Sequence, residues 1–233
     1  ELDRRKKIED LNDPKIYENI SPYQQFLVDR FWETNESTDF SKFPLKIWFF
    51  DIETYSPDEF PKPEEASHMI NVITVYDTVK ETYYTWGINA YKPKTEDVIY
   101  FHCKNETDLL QRFLDFYCED RPDILSGWNS EIFDIPYVIN RVRNILGEDA
   151  TRLFSPVHDE IMKPIYQRVY RGNFGNQTTK YVVEGISMLD YLDVYKTFSM
   201  GMRDSYKLDN IAHVELGENK VDIGETNLAT LSI

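Results

Sequence analysis

The hydrophobic pattern changes character near residue 45. Before it, charged residues surround short apolar groups at Leu11, Ile16, Tyr17 and Ile20 and then at Phe26, Leu27, Phe31 and Trp32. Steps of three and four residues are those of amphipathic helices. Pro14 and Pro22 interrupt them, so short helices are expected rather than one long one. The polar run ETNESTDFSK, Glu33 to Lys42, reads as a linker and places a boundary near residue 45.

From Leu45 the period is that of strands. LKIWFFDIE, INVITVYDT and ETYYTWGI are short, rich in β-branched and aromatic residues, and separated by polar segments. They predict three successive strands of one sheet, with DVIYFH at 97–102 as a fourth. A helix is expected from about Glu106 to Glu119, with Leu109, Leu110, Phe113, Leu114 and Phe116 as its apolar positions and Asn105 as its cap. DILSGW (123–128) reads as a short buried strand, and Ile135, Val138, Ile139, Val142, Ile145 and Leu146 make one face of a second helix. Strands alternating with helices predict an α/β domain with a mixed sheet. Residues 168–185 hold two strand-like runs around a Gly- and Asn-rich turn, a hairpin signal, and helical patterns return in LDYLDVYKTF and KLDNIAHVEL.

Composition narrows the classes. Among 233 residues, 41% are hydrophobic and 15% aromatic, enough for a sizeable core and too much for general disorder. Lys and Arg number 26 against 41 Asp and Glu, a formal charge of −15, which argues against a protein that coats duplex nucleic acid by neutralising phosphates. A metal-dependent enzyme acting on phosphodiesters stays open, because cations held by acids supply the positive charge a polyanion needs. Cys103 and Cys118 are too few for a disulfide framework and are not spaced as a zinc site. No apolar stretch approaches the ~20 residues of a membrane span, and Arg4, Arg5, Lys6 and Lys7 precede no signal-peptide core. A soluble cytosolic protein with reduced thiols is the expectation. Glu1 in place of Met, and the closing NLATLSI without a stop signal, are expected of a piece of a longer chain.

The candidate chemistry lies in two clusters. Asp51 and Glu53 in FFDIE sit two residues apart at a strand end, so their side chains share a face while Phe50 and Ile52 take the other. Burying such a pair costs several kcal/mol unless a cation or protons neutralise it. The run KIWFF before them predicts a strand buried on both faces, which puts the acids at the mouth of the core. A solvated strand end and a cation site are both compatible with the motif. Asp134 closes GWNSEIFD just before the second helix, with Pro136 in its first turn. It reads either as a cap or as a carboxylate that meets the strand-end acids, and three converging carboxylates suit magnesium or manganese.

FFDIET followed by SGWNSEIFDIPYVINR resembles the first two exonuclease motifs, D-x-E and N-x3-F-D, of family B DNA polymerases. The resemblance, nearest to polymerases of T-even-like tailed bacteriophages, covers roughly residues 45–220, and GISMLDYLDVYKTF and SYKLDNIAHVELG look like the segment that follows. It implies a ribonuclease-H-like fold, with residues 1–45 as the end of the polymerase's N-terminal domain and 46–233 as the 3′–5′ exonuclease domain. It further implies proofreading of a single-stranded primer 3′ end with two divalent cations, Mg2+ or Mn2+. In that pattern Asp51 is the ligand shared by both metals, Glu53 a ligand that positions water, and Asp134 the ligand of the second metal. Asn129 and Phe133 would shape the substrate strand, and Phe60 matches an aromatic that wedges against terminal bases. The hairpin falls where phage polymerases carry one that helps separate primer from template. Implied partners are DNA, the rest of the polymerase chain and, through it, a sliding clamp and a single-strand binding protein in a bacterial host cytoplasm.

One part of the pattern is missing. The family's third motif is Y-x3-D, and none of the 16 tyrosines here has Asp four positions on. Tyr206 and Asp209 are three apart, Asp190, Asp193 and Asp222 have no better claim, and no His is followed five positions later by Asp. The chain is therefore expected to end before that motif and to be weak or inactive as a nuclease by itself. A non-catalytic interaction domain on a nuclease scaffold, and a stand-alone nuclease, are the alternatives.

Overall fold

The computed structural model describes residues 22–31, 44–56, 60–157, 163–171, 177–199, 201 and 203–219. The helix expected over Leu11–Ile20, Trp32, the linker at 33–42, the hairpin turn at 172–176, Asp222 and the closing NLATLSI lie outside the described residues. The chain divides into two compact units, Glu1–Phe43 and Pro44–Ile233. In the first, α1 (Pro22–Phe31) opens on its proline, a position where the missing N–H costs nothing.

The second unit is built on a six-stranded sheet of order β4-β3-β2-β1-β5-β8. Strands β1 (Ile47–Thr54), β2 (Ile70–Asp77) and β3 (Thr82–Gly87) form an antiparallel meander, as their runs predict. The outer strand β4 (Val98–His102) pairs parallel with β3. On the other side β5 (Ile124–Gly127) pairs parallel with β1, and β8 (Ser187–Asp190) parallel with β5. Parallel neighbours need crossovers; a helix-free loop makes the one from β3 to β4, and helices lie in those from β1 to β5 and from β5 to β8. α2 (Glu106–Glu119) follows β4, and α3 (Asp134–Leu146) follows β5. A short helix α4 (Glu148–Thr151) and a 3-10 turn (Arg152–Phe154) lead on to a separate antiparallel hairpin, β6 (Ile165–Arg171) and β7 (Gln177–Val183). α5 (Tyr191–Phe198) and α6 (Leu208–Leu216) come last. No helix among the described residues is long and apolar enough to cross a membrane, and both cysteines are free thiols.

The core lies between the sheet and α2 with α3. Trp48, Phe50 and Ile52 alternate into it from β1, and Phe113 stands 5.8 Å from Phe50 and 5.4 Å from Trp86, ring centre to ring centre. Leu109, Leu110, Phe113 and Leu114 are buried on α2 and Ile135, Val138, Ile139 and Val142 on α3. Asn105 caps α2 as its sequence predicts, its side-chain oxygen accepting the Asp108 N–H at 2.9 Å.

Three expectations need correction. β1 is buried on one face only: Phe49 is half-buried, and Asp51 and Glu53 on the same face are exposed. Its run of bulky residues reflects aromatic contact on both sides rather than full enclosure, since Phe49 meets the Tyr191 ring edge-on at 5.8 Å. Leu189 and Asp190 are not helical but end β8, whose four residues are too few to show a period and pair with β5 some sixty positions earlier. The hairpin strands run from Ile165 to Val183, so β6 starts three residues before the expected 168.

Gly127 closes β5 where room is least. A Cβ there would stand 2.6 Å from the Phe50 carbonyl oxygen and 2.7 Å from Ser130 Cβ. Gly127→Ala is expected to cost about 1–3 kcal/mol in urea unfolding, because backbone rather than a flexible side chain must yield. An unchanged midpoint would refute this.

Candidate active site

The end of β1, the loop after β5 and the start of α3 come together. Asp51 pairs with Thr74 and Glu53 with Val72 across β1 and β2, and the two-residue period turns both carboxylates outward. Asp134 is the first residue of α3 and is 5% exposed. It does not act as the cap. Its carboxylate accepts the Ile52 N–H at 3.3 Å, which ties the helix start to the strand between the two acids. Burial first, then the charge of Asp51 beside it and to a smaller extent that of Asp190, together push the Asp134 carboxyl up to about 7.

Asp51 and Asp134 are thus brought within each other's field. Glu53 shares the exposed face of Asp51. Among the described residues no group of three or more His, Cys, Asp or Glu is drawn together as a metal-ligating cluster. The donors still fit a divalent cation: they are hard carboxylates, and one is buried deeply enough that ionising beside the other is costly. A cation shared between them would offset that cost.

The loop from β5 to α3 turns at Asn129, whose φ of 62° lies in the left-handed region that Asn tolerates. Its carbonyl accepts the N–H groups of Ile132 and Phe133, both at 3.2 Å, and so folds the loop back on itself. Phe133 then packs at tilted angles against Phe60 at 5.5 Å and Tyr137 at 5.6 Å, ring centre to ring centre. Phe60 is 79% exposed, so this aromatic pair opens to solvent.

Several supporting residues were not anticipated from the sequence. The polar side of α3 pins the segment after Phe60. The Tyr137 hydroxyl donates to the His68 carbonyl at 2.8 Å, Asn140 Nδ2 to Pro63 at 2.8 Å, Arg141 to Ala66 and Ser67 at 3.0 and 3.1 Å, and Asn144 Nδ2 to Glu65 at 3.0 Å. Their three- and four-residue spacing was the available signal. Arg141 in turn holds Glu106 with two bonds of 2.7 Å. Asp190, set aside as a missing fourth acid, spends its oxygens on backbone: Oδ1 accepts from Asn129 and Leu192, each at 2.9 Å, and Oδ2 from Glu131 at 3.2 Å. An Asp directly before a helical pattern was its legible sign, since it caps α5.

A mixed sheet of this order, with acids at the end of β1 and at the start of the helix that follows the neighbouring strand β5, defines a ribonuclease-H-like nuclease fold. The chain belongs to the exonuclease domain family of family B DNA polymerases, whose model matches residues 12–211. It is 36% identical over 202 residues to the DNA-directed DNA polymerase of Escherichia phage RB69, a match covering 76% of this chain and 22% of that protein. Against the DNA-directed DNA polymerase of Enterobacteria phage T4 it is 32% identical over 196 residues, 73% of this chain and 21% of that protein. The DNA polymerase of Thermococcus litoralis is 27% identical over 225 residues, 93% of this chain and 11% of that protein. The match spans about a fifth of the length of the two phage relatives. Exonuclease domains of this family are of a nuclease type that generally uses divalent metals, and their substrate is DNA.

Proposed function

We propose that this chain is the proofreading 3′–5′ exonuclease part of a replicative DNA polymerase, the part with which the intact polymerase hydrolyses mispaired nucleotides from DNA 3′ ends. The observation that supports the reading is buried Asp134, bonded to the Ile52 N–H and within the field of Asp51 at the end of the central strand. Residues 1–45 then end the polymerase's N-terminal domain, and 46–233 form the exonuclease domain. DNA synthesis, a sliding clamp, a single-strand binding protein and a host cytoplasm belong to the parent polymerase.

Asp51, Glu53 and Asp134 would hold two Mg2+ or Mn2+ ions. When bound, these cations activate water and stabilise the departing 3′ oxygen. Asp51 contributes the central carboxylate, Asp134 faces it from the helix start, and Glu53, exposed on the same strand face, orients the attacking water. With a net charge of −15, the protein offers no general attraction for phosphate, so grip on the strand falls to the cation site and to ring stacking. Phe60 and Phe133 present aromatic faces to unpaired bases, while Asn129 at the turn lies against the strand. A base must leave the duplex to reach them.

Phe60→Ala is expected to weaken binding of a single-stranded oligonucleotide by about 1–3 kcal/mol, the usual worth of one base–aromatic stack. Fluorescence anisotropy with a hydrolysis-resistant 3′ linkage measures it, with blunt duplex for comparison. Duplex bound as tightly as single strand, or no effect of Phe60→Ala, would count against a site for unpaired 3′ ends.

A further inference from the structure

The loop of residues 129–133 is held from a direction that the proposed chemistry does not use. At its back the loop and the end of β8 exchange bonds: Asp190 accepts the N–H groups of Asn129 and Glu131, and Glu131 Oε1 accepts the Asp190 N–H at 3.2 Å. The other oxygen of Glu131 reaches Lys180 Nζ at 3.0 Å. Lys180 stands on β7 opposite Arg168, and its ammonium also meets Asp193 of α5 at 3.1 Å. This contact is well shielded, with the side chains of Lys180 and Glu131 19% and 13% exposed. Burial alone would lower the lysine's pKa, yet bonds to Glu131 and Asp193 outweigh it and keep the cation charged.

The hairpin needs such an anchor. Two strands alone are marginal in water, and β6 and β7 form a sheet of their own, separate from the main one. Their root is fixed by buried Tyr181 and Val183, and the Tyr181 hydroxyl donates to Asn140 Oδ1 at 2.8 Å. That bond ties the hairpin to the body of α3. Lys180, one residue further out, ties it to the loop that shapes the substrate strand. Val169 and Tyr170, beyond it, are exposed.

We propose that Lys180 is a positioning residue that links the β6–β7 hairpin to the 129–133 loop through Glu131 and Asp190, so that hairpin and loop move as one body. The inference rests on the functional reading above, because the loop matters for carrying Asn129 and Phe133 against an unpaired strand. A shielded charge pair with a shared backbone clasp is coupled rather than additive. Loosening one end should be felt at the other.

The test compares Lys180→Met, Lys180→Arg and the double variant Lys180→Met, Glu131→Gln in this chain. Amide exchange is read without DNA, and affinity with the hydrolysis-resistant single-stranded oligonucleotide. Lys180→Met is expected to speed exchange at Asn129 and Glu131 about tenfold while the α2 amides of Leu109 to Leu114 stay protected, and to weaken the oligonucleotide about five- to tenfold. Lys180→Arg should stay within about twofold of the parent in both measurements. A tether predicts that the double variant stays as weak as Lys180→Met, whereas a lysine that merely neutralises Glu131 predicts recovery. Recovery, or unchanged exchange at Asn129 and Glu131 in Lys180→Met, would overturn the proposal. Failure of the functional reading is separable: there Phe60→Ala has no effect on affinity, while the DNA-free exchange still decides the tether.

Discussion

Asp134→Asn is expected to lower turnover of a labelled single-stranded oligonucleotide by about a hundredfold or more in the intact polymerase, and to make the metal-free protein more stable at pH 8. Both effects have one origin. The amide keeps the shape of the side chain and can still accept the Ile52 N–H, but it cannot give a cation the charge that a carboxylate does. Its gain in stability follows from proton linkage. Asp134 titrates near 7 when folded, against about 3.9 in an unfolded chain, so the folded state binds the proton more tightly between those values. Stability therefore falls as pH rises from about 4, and the loss is complete above about 7. At pH 8 it amounts to roughly 2–4 kcal/mol, and the asparagine variant escapes it. Urea unfolding with a chelator at pH 5 and pH 8 should show the variant's advantage widening with pH. Equal pH dependence in the two proteins would contradict the burial and the Asp51 repulsion assigned to Asp134, and undiminished turnover would remove it from the site.

Glu106→Ala is expected to cost about 3–5 kcal/mol in the same unfolding measurement, the largest stability loss foreseen for a single polar residue here. Glu106 and Arg141 are held by two bonds of 2.7 Å, with side chains 9% and 12% exposed. Removing the carboxylate strands a guanidinium in a place where water reaches it poorly. It also frees the Ile70 N–H, which donates to Glu106 Oε1 at 2.8 Å. Replacing both partners by apolar residues, Glu106→Leu with Arg141→Met, should recover much of that loss, because the penalty is for an unpaired charge rather than for a missing attraction. Arg141 also holds the carbonyls of Ala66 and Ser67, so both variants should loosen the segment that carries Phe60 and weaken single-strand binding. A double variant no more stable than Glu106→Ala would show that the pair contributes attraction beyond its own desolvation.

Local pattern alone was sufficient for much of this protein. The meander β1–β2–β3, the helices α2 and α3, the Asn105 cap and the shared face of Asp51 and Glu53 all follow from periods and end signals carried within about a dozen residues. The two segments that resemble exonuclease motifs were legible for the same reason, each being contiguous around a strand end or a helix start. The tertiary structure decided what lies on the other side of those segments. The exposed face of β1 depends on which face α2 and α3 cover, and β8 exists because Ser187–Asp190 finds β5. The repulsion between Asp51 and Asp134 and the pairs Arg141 with Glu106 and Asn129 with Asp190 join positions 83, 35 and 61 residues apart. Periodicity reports how a residue sits on its own element. Burial of charge, its pKa and its partner are set by the neighbouring element, and that neighbour is specified by the packing of the whole core rather than by any one stretch of chain.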